Sequence, residues 1–377
     1  MNKNLGMLVL LIVIFVVTTL FQNRFVDDLN ITNLINWTSL SAIMGIGVAF
    51  VIITGGIDLS IGSMVALVGC LLGIFISEDV GMHPAAAIIC VLGISMLIGL
   101  TYGLLITQLK LQPFVVTLCG LLILRGLARF IANDQKIPSA SLGYLSQHKL
   151  VHIPIPFISW ISDGYWGMYK WNNTNNEYPL DDAGEKIALP LFQWVSILPP
   201  FFYLLVIAII AAIFLNKTVW GRYLMALGKN EQAAKFSGIN TNMMTILAYV
   251  ICSLLAGVAG VLFAVNMPSV DPGSHGNFYE LYAIAAAVLG GCSLRGGEGS
   301  IFGVLIGSAI LSVLRNSIEF LGIRQLEFAV IGSVILAGVI FDEVTRKVMA
   351  RRRAIQEAAM AETSVVGPLD DAPNPSG

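Results

Sequence analysis

The chain has 377 residues, of which 56% are hydrophobic and 12% are charged, and its mean hydropathy is +0.81. An ordinary soluble domain is less apolar than this and about a quarter charged, so the composition excludes that class and predicts that most of the chain lies in lipid. The net charge of −2 gives no sign of the basic surface that nucleic-acid binding requires.

Apolar runs that are long enough to cross about 30 Å of hydrocarbon recur along the chain. In lipid only helices or closed barrels satisfy their own backbone hydrogen bonds, and continuous rather than alternating runs indicate helices. We therefore predict an all-α polytopic membrane protein with about ten transmembrane helices. The predicted spans are residues 5–22, 34–54, 59–76, 84–106, 113–131, 195–215, 244–265, 279–294, 301–320 and 325–341. The first run is expected to be an uncleaved span, because no small-residue cleavage site follows it.

The distribution of basic residues predicts that both termini are cytoplasmic. With that orientation the short outside loops hold only Arg24 and Arg324, as the positive-inside rule expects. The basic residues on the inside are Lys3, Lys110, Lys217, Arg222, Lys229, Lys235, Arg295, Arg346, Lys347, Arg351, Arg352 and Arg353.

Three segments stand apart from the spans within a transmembrane domain that is predicted to cover residues 1–348. Residues 132–193 form a polar insert on the outside that is rich in aromatic residues and prolines, and residues 216–243 form a cytoplasmic loop. The cytoplasmic tail, residues 349–377, ends in a Pro, Gly, Asp and Ser mixture and is expected to be largely disordered.

The sequence contains no recognisable catalytic, nucleotide or metal site. The nearest approach to a phosphate-binding loop, residues 221–230, has the wrong glycine spacing and ends in Asn230, so we expect neither ATP binding nor a cofactor. His148 and His152 lack a third ligand for zinc. The five cysteines are interpreted as small packing residues, and glycine pairs four apart, such as Gly99 and Gly103, as sites of close helix packing.

Within the cytoplasmic loop the sequence predicts a short helix. Asn230 is a favourable N-cap, Glu231 suits the positive end of a helix, and Gly238 suits a reversal at its end. We expect this helix to expose Ala233 and Ala234 beside Phe236. From the residues alone it could enter a groove on a partner or rest on the membrane surface as an ordinary connector.

Five stretches of the chain resemble the permeases of the ribose, xylose and galactose family of ATP-binding cassette importers. They are GRYLMALGKNEQAAKFSGI (221–239), ITGGIDLSIGS (53–63), PFVVTLCGLLILRGLA (113–128), YELYAIAAAVLGG (279–291) and GGCSLRGGEGSIFGVLIG (290–307). The first of them is similar to the family's coupling loop. Together the resemblance spans roughly residues 40–131 and 216–341, and departures from the family pattern include Tyr282, where an acid is usual.

The resemblance implies a permease of the bacterial inner membrane that carries a monosaccharide from periplasm to cytoplasm by alternating access. Its implied partners are a cytoplasmic ATP-binding subunit, a periplasmic sugar-binding protein and a second permease copy or paralogue. The implied coupling residues, including Glu231 in the same stretch, are Gly221, Arg222, Gly228, Asn230, Glu231, Ala233, Ala234, Ser237 and Gly238. The polar insert would then be periplasmic, where we hypothesise that it docks the binding protein or covers the outer mouth. Another small polar solute (nucleoside, amino acid or signalling furanose) and an ion-coupled secondary transporter remain as alternatives.

Four residues are candidates for the translocation path or for a break between helices: Gly55, Gly56, Asp58 and Arg125. An ionisable side chain between apolar runs is a functional candidate by default. Asp58 directly precedes a predicted span, so we favour it as the N-cap of that helix.

Three further charged residues lie in the predicted spans. Arg125 is deeper in its span than Arg129, which we expect to snorkel outward. Arg315 and Glu319, four residues apart, predict a helical ion pair.

Overall fold

The computed structural model describes residues 3–77, 79–138, 199–267, 269–338 and 340. The chain divides into a large unit, Met1–Glu327, and a small unit, Phe328–Gly377, in which residues 328–338 are helical. Most of the polar insert and the whole of the tail from residue 349 lie outside the described residues, as do His148 and His152.

The large unit is built of helices. They are α1 (Lys3–Phe21), α2 (Asp28–Ile53), α3 (Ile61–Ile76), α4 (Pro84–Gln108), α5 (Pro113–Ile131), α6 (Pro199–Lys217), α7 (Val219–Lys229), α8 (Glu231–Phe236), α9 (Thr241–Asn266), α10 (Tyr279–Leu289) and α11 (Ile301–Phe320). Short 3-10 turns cover Asn23–Val26 and Arg324–Leu326. Two short strands, β1 (Ile137–Pro138) and β2 (Ser269–Val270), pair antiparallel with Ile137 opposite Val270.

Six of the described helices are long and apolar enough to cross a membrane, which supports the prediction of an all-α polytopic membrane protein. These spans are Asn30–Ile53, Pro84–Gln108, Pro113–Ile131, Pro200–Lys217, Thr241–Asn266 and Ile301–Phe320. Large apolar side chains of α5 and α6, among them Leu122, Phe130 and Ile210, point outward. An outward apolar face of this kind suits lipid rather than water.

The span predicted at residues 279–294 is wrong as a single helix. α10 has 11 residues, so its length is only about 16 Å at 1.5 Å per residue, and it ends at Gly290 before Gly291, whose φ is +93°. Residues 271–278 before it are not helical. The segment is apolar as predicted, but the helix ends at the glycine pair, before the predicted end of the span.

Helix α2 lies at the centre of the large unit, where it contacts α6, α9, α10 and α11. Its C-terminal half, from Ala42 to Ile53, is buried along nearly its whole circumference. Close approaches at small residues hold the neighbouring helices together. A Cβ at Gly99 of α4 would lie 2.6 Å from the carbonyl oxygen of Tyr249 on α9, as expected for close packing at glycine.

The cysteines behave in two ways. All five are free; Cys70, Cys252 and Cys292 are buried, as expected of small packing residues, but Cys90 and Cys119 are exposed on α4 and α5. The packing interpretation is therefore wrong for these last two. Apolar sequence context does not distinguish a face that packs on protein from one that faces lipid.

Candidate functional site

The α7–α8 hairpin, defined as residues 218–240, contains the predicted short helix. α8 begins at Glu231, Asn230 is its N-cap, and the Asn230 Oδ1 accepts a hydrogen bond from the Ala233 backbone N–H at 3.0 Å. Gly238, with φ of +82°, forms the reversal after it. The predicted start, cap and end of this helix are thus confirmed.

The exposed surface of α8 differs from the prediction in one residue. Phe236 is 89% exposed and Ala233 is exposed, but Ala234 is only 4% exposed. The prediction that Ala234 is presented outward is wrong, because this side chain is buried in the protein, where α8 contacts α7 and α9. Ala234 can act on a partner only indirectly, through the packing of α8.

Gly228 near the end of α7 packs against the end of α2 and the loop between α10 and α11. A Cβ at this position would overlap the carbonyl oxygen of Ile53 and the backbone nitrogen of Gly297. The Gly297 N–H itself donates to the Ile53 carbonyl oxygen at 2.8 Å. The hairpin therefore sits where the end of α2 and the loop between α10 and α11 are joined by a backbone hydrogen bond, and only glycine allows this approach.

The break between α2 and α3 covers residues 54–60. Asp58 is 1% exposed, and its Oδ1 accepts hydrogen bonds from the Ser60 backbone N–H at 2.8 Å and from the Ser60 Oγ at 2.7 Å. α3 begins at Ile61 with Ser60 as its N-cap, so the prediction that Asp58 is the N-cap is wrong by two positions. Its carboxylate instead fixes the turn that leads into the helix.

Two neighbouring helices hold this break in place. The carbonyl oxygen of Ile57 accepts hydrogen bonds from the Thr117 Oγ1 on α5 and from the Tyr249 hydroxyl on α9, each at 3.2 Å. Gly55 has φ of +85°, and a Cβ on Gly56 would lie 2.6 Å from the Tyr249 hydroxyl oxygen. Gly56 and Asp58 are therefore buried in a well-bonded helix break, while Gly55 beside them is exposed.

Arg125 anchors the non-helical segment that precedes α10. Its Nη1 donates to the carbonyl oxygens of His275 at 2.6 Å and Pro272 at 3.2 Å. This segment passes close to the start of α3, where a Cβ on Gly62 would overlap the Gly276 carbonyl oxygen. Non-helical backbone between spans is tolerated when protein groups satisfy its carbonyls, and Arg125 does this here.

Arg129 behaves differently from Arg125. Its guanidinium forms two hydrogen bonds of 2.8 Å with the carboxylate of Asp134, and both side chains are exposed, as expected for an arginine at the end of a span. This contact holds the pKa of the Asp134 carboxyl below its ordinary value. Arg129 is thus a surface residue, and Arg125 is the inward-facing arginine of α5.

A cavity of about 290 Å³ lies between α2, α10 and α11, and the sequence analysis missed it. We call it the outer cavity. Six of its lining residues are Trp37, Ser41, Tyr279, Tyr282, Ser312 and Arg315. The signal that could have found it is the pair Tyr279 and Tyr282, three residues apart and therefore on one helix face.

An ion pair at this cavity replaces the one predicted from the sequence. The Arg315 Nε lies 3.0 Å from the Glu327 Oε1, which also accepts a hydrogen bond from the Tyr282 hydroxyl at 3.3 Å, whereas Glu319 pairs with Arg324. The predicted pair between Arg315 and Glu319 is therefore wrong. A chain reversal at Gly322, with φ of +71°, returns Arg324 and Glu327 to the end of α11.

Metal binding finds no support in the described ranges. Within residues 3–77, 79–138, 199–267 and 269–338, His, Cys, Asp and Glu side chains do not form any group of three or more that could hold a metal ion.

Comparisons with known proteins place these features in a family. The family described as branched-chain amino acid transport system / permease component matches residues 30–340. The chain is 34% identical to the ribose import permease protein RbsC of Escherichia coli strain K12, over 89% of this chain and 92% of that protein. It is 31% identical to the xylose transport system permease protein XylH of Haemophilus influenzae, over 92% and 99%.

A third relative, the ribose import permease protein RbsC of Bacillus subtilis strain 168, is 32% identical over 90% of this chain and 92% of its own length. No solved structure matches the chain. Both the family match and the three relatives cover most of the chain, and the family match includes the α7–α8 hairpin, the α2–α3 break and the outer cavity. The chain therefore belongs to the family of transport-system permease components, and it is a multi-pass protein of the bacterial inner membrane that does not itself catalyse a reaction.

Proposed function

We propose that this chain is the transmembrane permease subunit of an ATP-driven importer that moves a monosaccharide from periplasm to cytoplasm by alternating access. The observation that carries the proposal is similarity along about nine-tenths of the chain to permeases named for ribose and xylose. A fructose import permease protein of Rhizobium meliloti, 28% identical over 91% of this chain, extends the pattern to a third sugar.

The proposed topology has ten membrane segments with both termini in the cytoplasm, and its eighth segment consists of α10 together with the non-helical residues 271–278 before it. The contact between Gly228, Ile53 and Gly297 supports it, because this topology puts α7, the end of α2 and the loop between α10 and α11 all on the cytoplasmic side. The polar insert, residues 132–193, would then be periplasmic. We propose that it docks the sugar-binding protein or covers the outer mouth.

The α7–α8 hairpin is the proposed site of coupling to the ATP-binding subunit. Phe236 and Ala233 offer an exposed apolar contact, and Gly228 relays movement of the hairpin to α2 and to the loop before α11. ATP hydrolysis in the partner would shift the permease between outward-open and inward-open states through this contact. The other proposed coupling residues, Gly221, Arg222, Asn230, Glu231, Ala234, Ser237 and Gly238, shape or flank the same hairpin.

The helix break at Gly55, Gly56 and Asp58 adjoins this contact, so it is the proposed hinge between the hairpin and α3. Arg125 is proposed to hold the segment before α10 as the permease changes state, because its two hydrogen bonds bridge α5 and that segment. A second permease copy or paralogue completes the assembly in this proposal.

Reconstitution tests the proposal. The permease, its ATP-binding subunit and its binding protein are placed in liposomes, and uptake of radiolabelled D-ribose, D-xylose and D-fructose is measured with and without ATP. We expect ATP-dependent uptake of at least one sugar. Uptake of these sugars by the permease alone, driven by a proton or sodium gradient, would contradict the proposal and favour a secondary transporter.

The family description favours a second candidate substrate, a branched-chain amino acid. The same liposomes decide between the two classes when L-leucine and D-ribose are supplied in parallel. If ATP drives uptake of L-leucine but of none of the three sugars, the substrate is an amino acid and not a monosaccharide. The proposal for coupling to the ATP-binding subunit is unaffected by that result.

A further inference from the structure

The outer cavity lies at the end of the helix bundle that is remote from the α7–α8 hairpin. Trp37 precedes Ile53 by sixteen residues on α2, so the two lie about 24 Å apart along the helix. Ser312 and Arg315 likewise lie in the second half of α11, whereas Ile301 begins that helix next to the loop that contacts Gly228. In the proposed topology the cavity is therefore in the periplasmic half of the permease.

One side of the cavity is formed by the rings of Trp37, Tyr279 and Tyr282, which pack on each other or on Phe263. Trp37 packs edge to face on Phe263 with ring centroids 5.3 Å apart, and Phe263 packs the same way on Tyr279 at 5.2 Å. Tyr282 follows at 6.2 Å from Tyr279. Rigid aromatic surfaces present apolar contact area at low entropic cost, and the hydrocarbon face of a sugar ring can stack on them.

Serine hydroxyls supply uncommitted polar groups at the same cavity. Ser39 on α2 and Ser317 on α11 each donate to the backbone carbonyl four residues earlier, and the Ser317 Oγ also accepts a hydrogen bond of 2.7 Å from the Thr18 hydroxyl on α1. Ser41 and Ser312, on the same two helices, line the cavity, and within the described part of the chain neither side-chain hydroxyl forms a hydrogen bond. Both hydroxyls therefore remain available to a polar solute.

A charged group completes the polar side. Arg315 lies 5.1 Å over the ring of Tyr282 and pairs with Glu327 at 3.0 Å, while its side chain is 45% exposed. A charge is costly in lipid, so this face is expected to border water or polar solute. Its guanidinium has more donors than one ion pair uses.

We propose that the outer cavity is a monosaccharide-binding station within the permease, at which the sugar ring stacks on the tyrosines and its hydroxyls bind Ser41, Ser312 and Arg315. The inference rests on the proposed transport of a monosaccharide and adds a site to it. A volume of about 290 Å³ is close to the lower end of small-molecule pockets, at about 300 Å³, and suits one small solute. Specificity at this station comes from hydroxyl geometry, because the aromatic surface accepts any pyranose or furanose ring.

Matched serine substitutions test the station. The double variant Ser41→Ala with Ser312→Ala removes both cavity hydroxyls, and the control Ser39→Ala with Ser317→Ala removes two hydroxyls from the same helices outside the cavity. Each is reconstituted with the ATP-binding subunit and binding protein, and the sugar that the wild-type complex transports is used as the probe. We expect the cavity variant to lower the uptake rate about tenfold and the control to lower it less than twofold.

A labelling experiment detects sugar at the site directly. Ser312→Cys, in a background where Cys90 and Cys119 are replaced by serine, is treated with a water-soluble thiol reagent, and Arg24→Cys in an exposed turn serves as control. We expect the transported sugar to slow labelling of the cavity cysteine at least fivefold and to leave the control unchanged. Unchanged labelling of both, together with normal uptake by the double alanine variant, would overturn the station.

These outcomes separate the station from the function on which it rests. If the wild-type complex transports none of the sugars, the proposed function fails, and the station fails with it. If the wild-type complex transports a sugar while the cavity and control variants behave alike, only the station fails. Labelling of Ser312→Cys that is blocked equally with and without sugar would show that a second permease copy covers the cavity, and would also overturn the station.

Discussion

Replacement of Gly228 by alanine perturbs the contact at which the hairpin meets the membrane helices. The added Cβ overlaps the Ile53 carbonyl oxygen and the Gly297 nitrogen. Either the hairpin moves away, or the hydrogen bond from the Gly297 N–H to the Ile53 carbonyl breaks. Gly228 lies in α7 and does not have a positive φ, so alanine is acceptable to the backbone and the destabilisation arises from the overlap of the added Cβ.

The size of the effect follows from three contributions. Overpacking costs about 1–3 kcal/mol, and loss of the backbone hydrogen bond adds about 0.5–1.5 kcal/mol. Alanine recovers about 0.8–1.0 kcal/mol through its better helix propensity. The remaining free-energy cost is roughly 0.5–4 kcal/mol, which is small for folding of a polytopic protein. At the midpoint of about 2 kcal/mol it changes an equilibrium between two packed states by more than about tenfold.

We therefore expect Gly228→Ala to insert normally and to lower the number of sugar molecules transported per ATP about tenfold. Uptake and ATP hydrolysis are measured in the same liposomes, and the yield of monodisperse protein in detergent reports folding. Gly126→Ala is the matched control, since a Cβ there meets no atom within 4 Å. A normal ratio of uptake to hydrolysis in Gly228→Ala would refute the relay through this contact.

Three further predictions concern single side chains. Arg125→Met should lower the thermal unfolding temperature of the purified permease by several degrees because two buried carbonyls lose their donor, while Arg129→Met should change it little. Asp58→Asn should retain folding and uptake because one acceptor oxygen suffices for the turn, and loss of uptake in this well-folded variant would identify a carboxylate needed for transport. Phe236→Ala should weaken binding of the ATP-binding subunit at least tenfold in a titration, with the outward-facing Phe130→Ala as control.

Local sequence signals predicted the elements that depend on neighbouring residues. The cap at Asn230, the first residue of α8 and the reversal at Gly238 were all correct, because each depends on a side chain or glycine within one helical turn. The apolar runs likewise predicted most helices to within a few residues. The burial of individual side chains could not be predicted in this way. In the sequence Ala234 resembles any small surface residue, and only the packing of the hairpin shows that it is buried.

Interactions between distant residues could not be predicted from spacing. Spacing correctly puts Arg315 and Glu319 on one helix face, but the reversal at Gly322 brings a competing acid, Glu327, to the same arginine. The start of α3 shifted to Ile61 for a similar reason, since groups from α5 and α9 fix the carbonyl of Ile57 before it. The outer cavity combines three helices, so no single stretch of sequence contains its pattern.

The two proposed sites are connected by the same two helices. α2 contributes Trp37 and Ser41 to the outer cavity and ends at Ile53 in the contact with the hairpin, and α11 runs from the neighbouring loop to Ser312. A buried helix transmits displacement along its length because its neighbours leave it no room to bend. Movement of the hairpin would therefore reach the cavity through α2 and α11 together. Since thermodynamic coupling is reciprocal, sugar in the cavity should in turn bias the position of the hairpin.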